Sequence, residues 1–239
     1  ASQSENVSCS GEENGTAQNS RIYPARSCPV QRGVSRSLLC LHITTSVSLP
    51  AVGSIMPEYK LIYFNARGRA ELARWIFAYS GIPYTDERFE NDEWPEKKKS
   101  IEGGKVPVLR VDGHTLPQSL AIGRFLSKKA GLVPEDDLQA AACDALVDTI
   151  YELMTEMYKF TFPEKSEEEI KKPKAEYFTT HLEPFMTRLN KRLGEKKWFV
   201  SDKITWGDLA IGMFFGEMKG LYSEKLEKFP STTCPYQQS

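Results

Sequence analysis

Tyr63, Arg67, Gly68 and Arg69 fall together where a short apolar run gives way to an amphipathic one, within residues 58–71, EYKLIYFNARGRAE. A phenol at the end of a strand can donate one hydrogen bond, and arginines supply positive charge. In open α/β sheets ligands bind beyond the carboxyl ends of strands, beside helix N-termini that favour anions. These residues are therefore where chemistry on an anionic or ionisable group is expected.

The elements that must position them can be read from the periodicity. Tyr59, Leu61 and Tyr63 point to one face of a strand and Ile62 and Phe64 to the other. With both faces apolar, it reads as a central strand in a covered sheet. Residues 69–80 carry Leu72, Ala73, Ile76 and Phe77 at helical spacing, Gly81 ends that helix and Pro83 enforces the stop. Residues 84–89 form a second strand, parallel to the first through a right-handed crossover. A polar stretch with Trp94, the basic run of Lys97, Lys98 and Lys99, and Gly103-Gly104 follow as a loop. Residues 106–111 and 114–116 form a hairpin on Asp112-Gly113, and a helix over residues 118–130 closes at Gly131. The order β-α-β, loop, β-β-α fits a thioredoxin-like mixed sheet with helices on both faces.

Residues 132–137, with Pro134 and several acids, read as a linker. Beyond it the period is helical. Leu146, Ile150, Leu153, Met157 and Phe160 make one apolar stripe, with Asp144, Asp148 and Glu152 as an acidic line beside it. A charged stretch over residues 163–173 is expected to separate this helix from one over residues 175–193. A further helix starts near Thr205, where Thr205-Trp206-Gly207-Asp208 has capping-box spacing, a structural feature that touches no substrate. The expected fold class is α/β plus all-α: a thioredoxin-like domain over residues 56–131, then an all-helical domain over residues 138–229.

Thioredoxin-type exchange chemistry needs a nucleophilic cysteine in the turn after the first strand. Phe64-Asn65-Ala66-Arg67 has none. If this fold still handles sulfur, the sulfur comes with the ligand, and the Tyr63 hydroxyl is the natural donor to that ligand's thiolate. A free thiol titrates at roughly 8.5, so a donor and a helix N-terminus raise the ionised fraction near neutrality.

From Met56 onward the chain resembles a sigma-class glutathione S-transferase of the haematopoietic prostaglandin D synthase type. The matching pieces are YKLIYFNARGRAE, DEWPEKKK, GKVPVL, DGHTLPQSLAIGRFL, DALVDTI and KITWGDL, which keep family order over residues 56–229. The resemblance implies glutathione as co-substrate, conjugation to small apolar electrophiles, and isomerisation of prostaglandin H to prostaglandin D as a subset of that chemistry. It makes Tyr63 the donor to the glutathione sulfur and Arg69 the arginine supporting it. Trp94 and Lys98 would hold the glycine end, with Lys105 as a further basic contact and Lys97 and Lys99 as solvated neighbours. Val106, before a cis Pro107, would pair with the cysteinyl unit. Gln118 and Ser119 would grip the γ-glutamyl carboxylate. A homodimer is implied, in which Glu152 or Asp148 of the partner subunit approaches the γ-glutamyl amine. Phe64, Arg69, Met154, Tyr158 and Phe160 are candidate walls of the electrophile pocket.

Bulk properties exclude other classes. The formal net charge of -1 gives no argument for nucleic acid or an acidic membrane surface as partner. No run approaches the roughly 18 to 20 apolar residues of a membrane span; residues 204–218 come nearest, interrupted by Asp208 and Glu217. Cys9, Cys28, Cys40, Cys143 and Cys234 include no C-x-x-C and cluster early, which points to a reducing, cytoplasmic compartment. His42, His114 and His181 are dispersed, and no metal site is expected.

Both ends depart from the family pattern. Residues 1–55 are Ser-rich and without period, and are expected to be a disordered extension. They include Asn6-Val7-Ser8 and Asn14-Gly15-Thr16 at glycosylation-acceptor spacing, and a targeting-like run over residues 38–52 broken by polar side chains. Residues 230–239 read as an altered or truncated tail, which would leave apolar side chains around residues 210–215 exposed. Two alternatives to the enzyme follow: a non-catalytic, crystallin-like member, against which the intact Tyr63, Arg69, Trp94, Lys98, Gln118 and Ser119 argue, and a folding-impaired variant.

Overall fold

A computed structural model describes residues 56–162 and 165–229, all within one compact unit spanning Gly53–Ser239. The expectations for residues 1–55 and for the tail at 230–239 lie outside the described residues.

Strand β1 (Tyr59–Phe64) lies inside a four-stranded sheet of order β2-β1-β3-β4, with β2 (Thr85–Phe89), β3 (Val108–Val111) and β4 (His114–Pro117). It runs parallel to β2 and antiparallel to β3, and β3 pairs antiparallel with β4. Its two faces feed two clusters. Tyr59 and Leu61 enter the main core, and Ile62 packs with Phe89, Ile101 and Val108 on the other side. Helix α1 (Glu71–Ser80) follows a 3-10 turn at Gly68–Ala70, and α3 (Ser119–Lys129) follows β4. The N-terminal half is thus a thioredoxin-like mixed sheet.

The C-terminal half is helical: α4 (Asp137–Thr161), α5 (Glu167–Tyr177), a π-helical turn Phe178–Leu182, α6 (Glu183–Leu193) and α7 (Trp206–Leu226). One hydrophobic cluster runs from Leu61 and Leu72 through Ile122 and Ile150 to Phe214, so the two halves share a core. Gly123 marks a close approach between them. A Cβ there would stand 3.0 Å from the buried Trp206 ring, and Arg124 spans the same seam over that ring to reach Asp144 and Asp148. Among the described residues no helix is long and apolar enough to cross a membrane.

Three local expectations are corrected. The stretch with Trp94 and the lysines is helix α2 (Trp94–Lys99), preceded by a capping box of Glu90 and Glu93 that satisfies the entering amides. Residues 167–173 belong to α5 instead of separating two helices. Ser166 and Glu169 form a capping box, and three acids in the first turn complement the helix dipole, so the start tolerates the amide lost at Pro173. Finally, Ala210, Ile211, Met213 and Phe214 are wholly buried and Phe215 is 5% exposed. The first half of helix α7, residues 206–215, is apolar around its circumference, and the helix packs on both α1 and α4, which is the position such a segment requires.

Candidate active site

Tyr63 is half-buried near the end of β1, opposite Arg88 of β2. The chain then reverses over Asn65 and Ala66, whose amides donate to Phe89 O and Phe64 O at 2.8 and 2.7 Å. Arg74 of α1, itself 6% exposed, braces this turn from behind. Its guanidinium donates to Ala66 O at 2.7 Å, Arg67 O at 3.3 Å, Glu71 at 3.2 Å and Asp86 at 3.0 Å. A buried guanidinium anchored in this way through Nε and Nη1 holds the turn in one shape, while its Nη2 is buried without a hydrogen-bond partner among the described residues.

That shape directs the Arg69 amide at the Tyr63 hydroxyl, to which it donates at 3.3 Å. The amide takes a lone pair of the phenolic oxygen and leaves the phenolic proton free for an acceptor outside. Gly68 makes the approach possible, with φ at +45° and the Tyr63 hydroxyl 2.8 Å from where a Cβ would stand. Substituting Gly68→Ala is therefore expected to push the hydroxyl out of line. We expect kcat to fall by about tenfold or more while the protein stays folded, measured by steady-state kinetics with circular dichroism as the control.

A groove of about 740 Å³ opens beside this turn. One wall is Phe64, Arg69 and Trp94, and the other is the loop from Gly103 to Pro107 with Gln118 and Ser119. Trp94 is held by stacking on Phe89, centroids 5.7 Å apart, and by Phe64 at 5.3 Å. The Val106–Pro107 peptide is cis, as the resemblance implies. Gln118 takes a left-handed φ of 76° and puts no side chain over the start of α3. The first amides of that helix therefore lack a side-chain cap and face a groove suited to a carboxylate. A non-glycine residue held there costs about 1–3 kcal/mol, the kind of strain found where a ligand is clamped.

The other predicted residues sort as follows. Lys105 lines the groove. Lys98 is exposed just outside it, its aliphatic stem against Gly104, and among the described residues it has no carboxylate partner. Lys97 pairs with Glu87 and Lys99 with Glu96. Asp148 is engaged by Arg124 at 2.7 Å, whereas Glu152 is exposed on α4 and unpaired among the described residues. Arg69 reaches α4 through Thr155 at 3.2 Å and lies over the Tyr158 ring at 5.8 Å. The Tyr158 hydroxyl is buried with no hydrogen-bond partner among the described residues, and burial pushes its pKa up, reinforced by the Glu217 carboxylate. Glu217 is itself raised by burial, against the pull of Arg67 at 3.2 Å. Met154 and Phe160 are buried in the helical core, Phe160 against Tyr177, and neither borders the groove.

Sequence reasoning missed Arg74, Thr155 and Tyr151. Tyr151 is 5% exposed and donates to Arg69 O at 3.4 Å. Burial pushes its pKa up to about 12, so it keeps its proton at any working pH. Its signal was a second stripe on α4, Val147, Tyr151, Met154 and Tyr158, beside the one already noted.

Comparison with known proteins bears on this groove. Residues 59–128 match the family described as glutathione S-transferase, N-terminal domain, and residues 151–238 match glutathione S-transferase, C-terminal domain. The chain is 40% identical to hematopoietic prostaglandin D synthase of Gallus gallus, across 73% of this chain and 86% of the relative. It superposes on rat hPGDS complexed with a quinoline with a TM-score of 0.70 at 36% identity, covering 76% of this chain and 90% of the other. A monomeric glutathione S-transferase of the hookworm Necator americanus gives 0.69 at 32% identity, with the same coverages.

Proposed function

The chain belongs to the glutathione S-transferase family, and from that premise we propose how its residues carry out the transfer. Glutathione is the co-substrate, and the protein is an enzyme that conjugates its sulfur to electrophiles. The observation that carries the residue assignment is the Tyr63 hydroxyl, which accepts the Arg69 amide and keeps its own proton for the ligand. No cysteine lies in the adjoining turn, so the nucleophile is the thiolate of glutathione. Tyr63 donates to that thiolate, and the Arg69 guanidinium adds positive charge beside it.

Along the groove, Trp94, Lys98 and Lys105 take the glycine end. The backbone before Pro107 takes the cysteinyl unit, and Gln118, Ser119 and the first amides of α3 take the γ-glutamyl carboxylate. Asp148 is committed to Arg124, so Glu152 is the acid offered to a second subunit's γ-glutamyl amine in a homodimer. The electrophile lies over Phe64 and Tyr158, beside Arg69. With an aryl halide, sulfur bonds to the ring carbon and halide leaves with its electron pair. The thiol proton has already passed to solvent.

A second reading, formation of prostaglandin D from prostaglandin H, is favoured by the vertebrate relatives named for that product. A cytoplasmic location fits the cysteine usage, with Cys143 unpaired and buried.

The test is retention on immobilised glutathione together with turnover of an aryl halide. We expect both, with elution by free glutathione. Lys105→Ala should raise KM for glutathione by about fivefold with kcat held, as loss of a partly exposed contact to a charged group does. Retention without turnover would support a binding or structural role, and no retention would remove the reading. Product analysis with prostaglandin H decides the second.

A further inference from the structure

Arg67 takes no part in the proposed transfer, although it sits in the turn that aims the Arg69 amide at Tyr63. Its guanidinium is shared between two carboxylates. Nε lies 3.4 Å from Glu71 Oε1 on α1 and 3.2 Å from Glu217 Oε1 on α7. Gly216 makes room for it. A Cβ there would stand 3.3 Å from Arg67 Nη2, so the guanidinium lies close against the α7 backbone.

The two carboxylates are compensated unequally. Glu71 also accepts from Trp75 Nε1 at 3.3 Å and pairs with Arg74 Nη1 at 3.2 Å. Among the described residues Arg67 is the only ion-pair partner of Glu217. Glu217 Oε1 is buried with no hydrogen-bond partner among them, so the pair is held by charge and not by an aligned hydrogen bond. A buried carboxylate that shares a single counterion weakens the fold. Burial accordingly raises the Glu217 carboxyl above its ordinary value. A carboxyl raised in this way contributes its stability below its ordinary pKa and loses it as pH rises through the raised value, so at neutral pH the charge is unfavourable to folding. The titratable groups that bear on it are Arg67, Glu71 and, from α4, Tyr158.

A charge kept under those conditions calls for a role, and its one partner supplies it. Arg74 holds the backbone of the turn through Ala66 O and Arg67 O, at 2.7 and 3.3 Å. Glu217 holds the Arg67 side chain from a different helix. The next residue is Gly68, whose φ of +45° brings the chain against the Tyr63 hydroxyl. We propose that Glu217 is a positioning residue for Tyr63: through Arg67 it fixes the turn at Gly68, and with it the line from the Arg69 amide to the Tyr63 hydroxyl. No proton moves; the carboxylate acts by holding a cation. The proposal rests on the reading that Tyr63 donates to the glutathione thiolate.

The test is Glu217→Gln, which keeps the shape and removes the charge. The ultraviolet absorbance of the bound thiolate is titrated against pH in the complex with glutathione. Its midpoint should rise by about one pH unit, and kcat for an aryl halide at roughly pH 6.5 should fall by about tenfold. KM for glutathione should change by less than about twofold, and Tm should equal that of wild type or exceed it. Arg67→Met should raise the midpoint in the same way, and the double variant should go no further than Arg67→Met alone. A lower Tm or a failure to fold makes Glu217 a stabilising contact and overturns the proposal. An unmoved midpoint in either single variant, or additive losses in the double variant, overturns it too. Tyr63→Phe separates the proposal from its premise. If Tyr63→Phe raises the midpoint and Glu217→Gln does not, only Glu217 loses its role. If neither raises it, the assignment of Tyr63 falls as well, and a midpoint moved by Glu217→Gln alone overturns the proposal.

Discussion

Tyr63→Phe is expected to lower kcat for aryl-halide conjugation by about 100-fold or more, with KM for glutathione changed by only a few fold. The substitution removes one atom. The ring still meets Phe64 at 5.5 Å and still lies under the Arg74 guanidinium at 6.0 Å, so the turn keeps its supports. What disappears is the donor aimed at the sulfur. The Arg69 amide, by donating to the phenolic oxygen, makes that phenol a stronger donor than an isolated one, so the loss exceeds that of an ordinary neutral hydrogen bond. The sign of the pH effect follows. A donor to the anion lowers the thiol pKa below its ordinary value of about 8.5, so the wild-type rate persists as pH falls towards neutrality. Without the donor, only about 1% of the thiol is ionised at pH 6.5, and the variant's rate should climb with pH towards 8.5. Residual turnover within several fold of wild type, on an unshifted pH profile, would sink the assignment of Tyr63.

The second large effect is on stability. Asp208 is 1% exposed, and its carboxylate accepts from Thr205 N at 2.8 Å, Thr205 Oγ1 at 2.6 Å and Phe199 N at 2.9 Å. Replacing it with alanine strands three buried donors at the entry to the central helix α7. Each stranded donor costs about 1–3 kcal/mol, so a loss of about 4 kcal/mol is expected against a typical total of about 5–15. For a chain of this size that lowers Tm by roughly 10 °C in differential scanning calorimetry. Asp208→Asn, which keeps one of the two acceptor oxygens, should recover part of the loss. KM for glutathione in the folded protein should not change, because the box touches no residue of the groove. A Tm within about 2 °C of wild type would show that these bonds are dispensable.

Most of the first half was legible from the chain alone. The alternation in Tyr59, Leu61 and Ile62 requires a strand covered on both faces, and Asp112-Gly113 requires a hairpin. Gly81, Pro83 and the Thr205–Asp208 spacing set helix ends through local geometry. These signals depend on neighbours in sequence, and the structure carries each of them. The absence of a cysteine after β1 likewise assigned the reactive sulfur to the ligand before any coordinates were considered.

Contacts between distant segments had no such local signal. Residues 210–215 seemed to lack partners because their neighbours on α1 and α4 are far away in the chain. Asp144, Asp148 and Glu152 form one acidic line by periodicity, but only the packing of α3 on α4 gives the first two to Arg124 and leaves the third unpaired. The line-up of Met154, Tyr158 and Phe160 near the end of α4 suggested a pocket. Helical rotation puts Met154 and Phe160 in the core and Tyr158 beside Arg69. The sequence by itself determined the strand, the turn and the identity of the phenol, since these are set within a few residues. The tertiary structure alone decided how that phenol is used. The Arg69 amide, the Arg74 brace and the Tyr151 hydroxyl converge on the turn from α1 and α4, and no local pattern encodes that convergence.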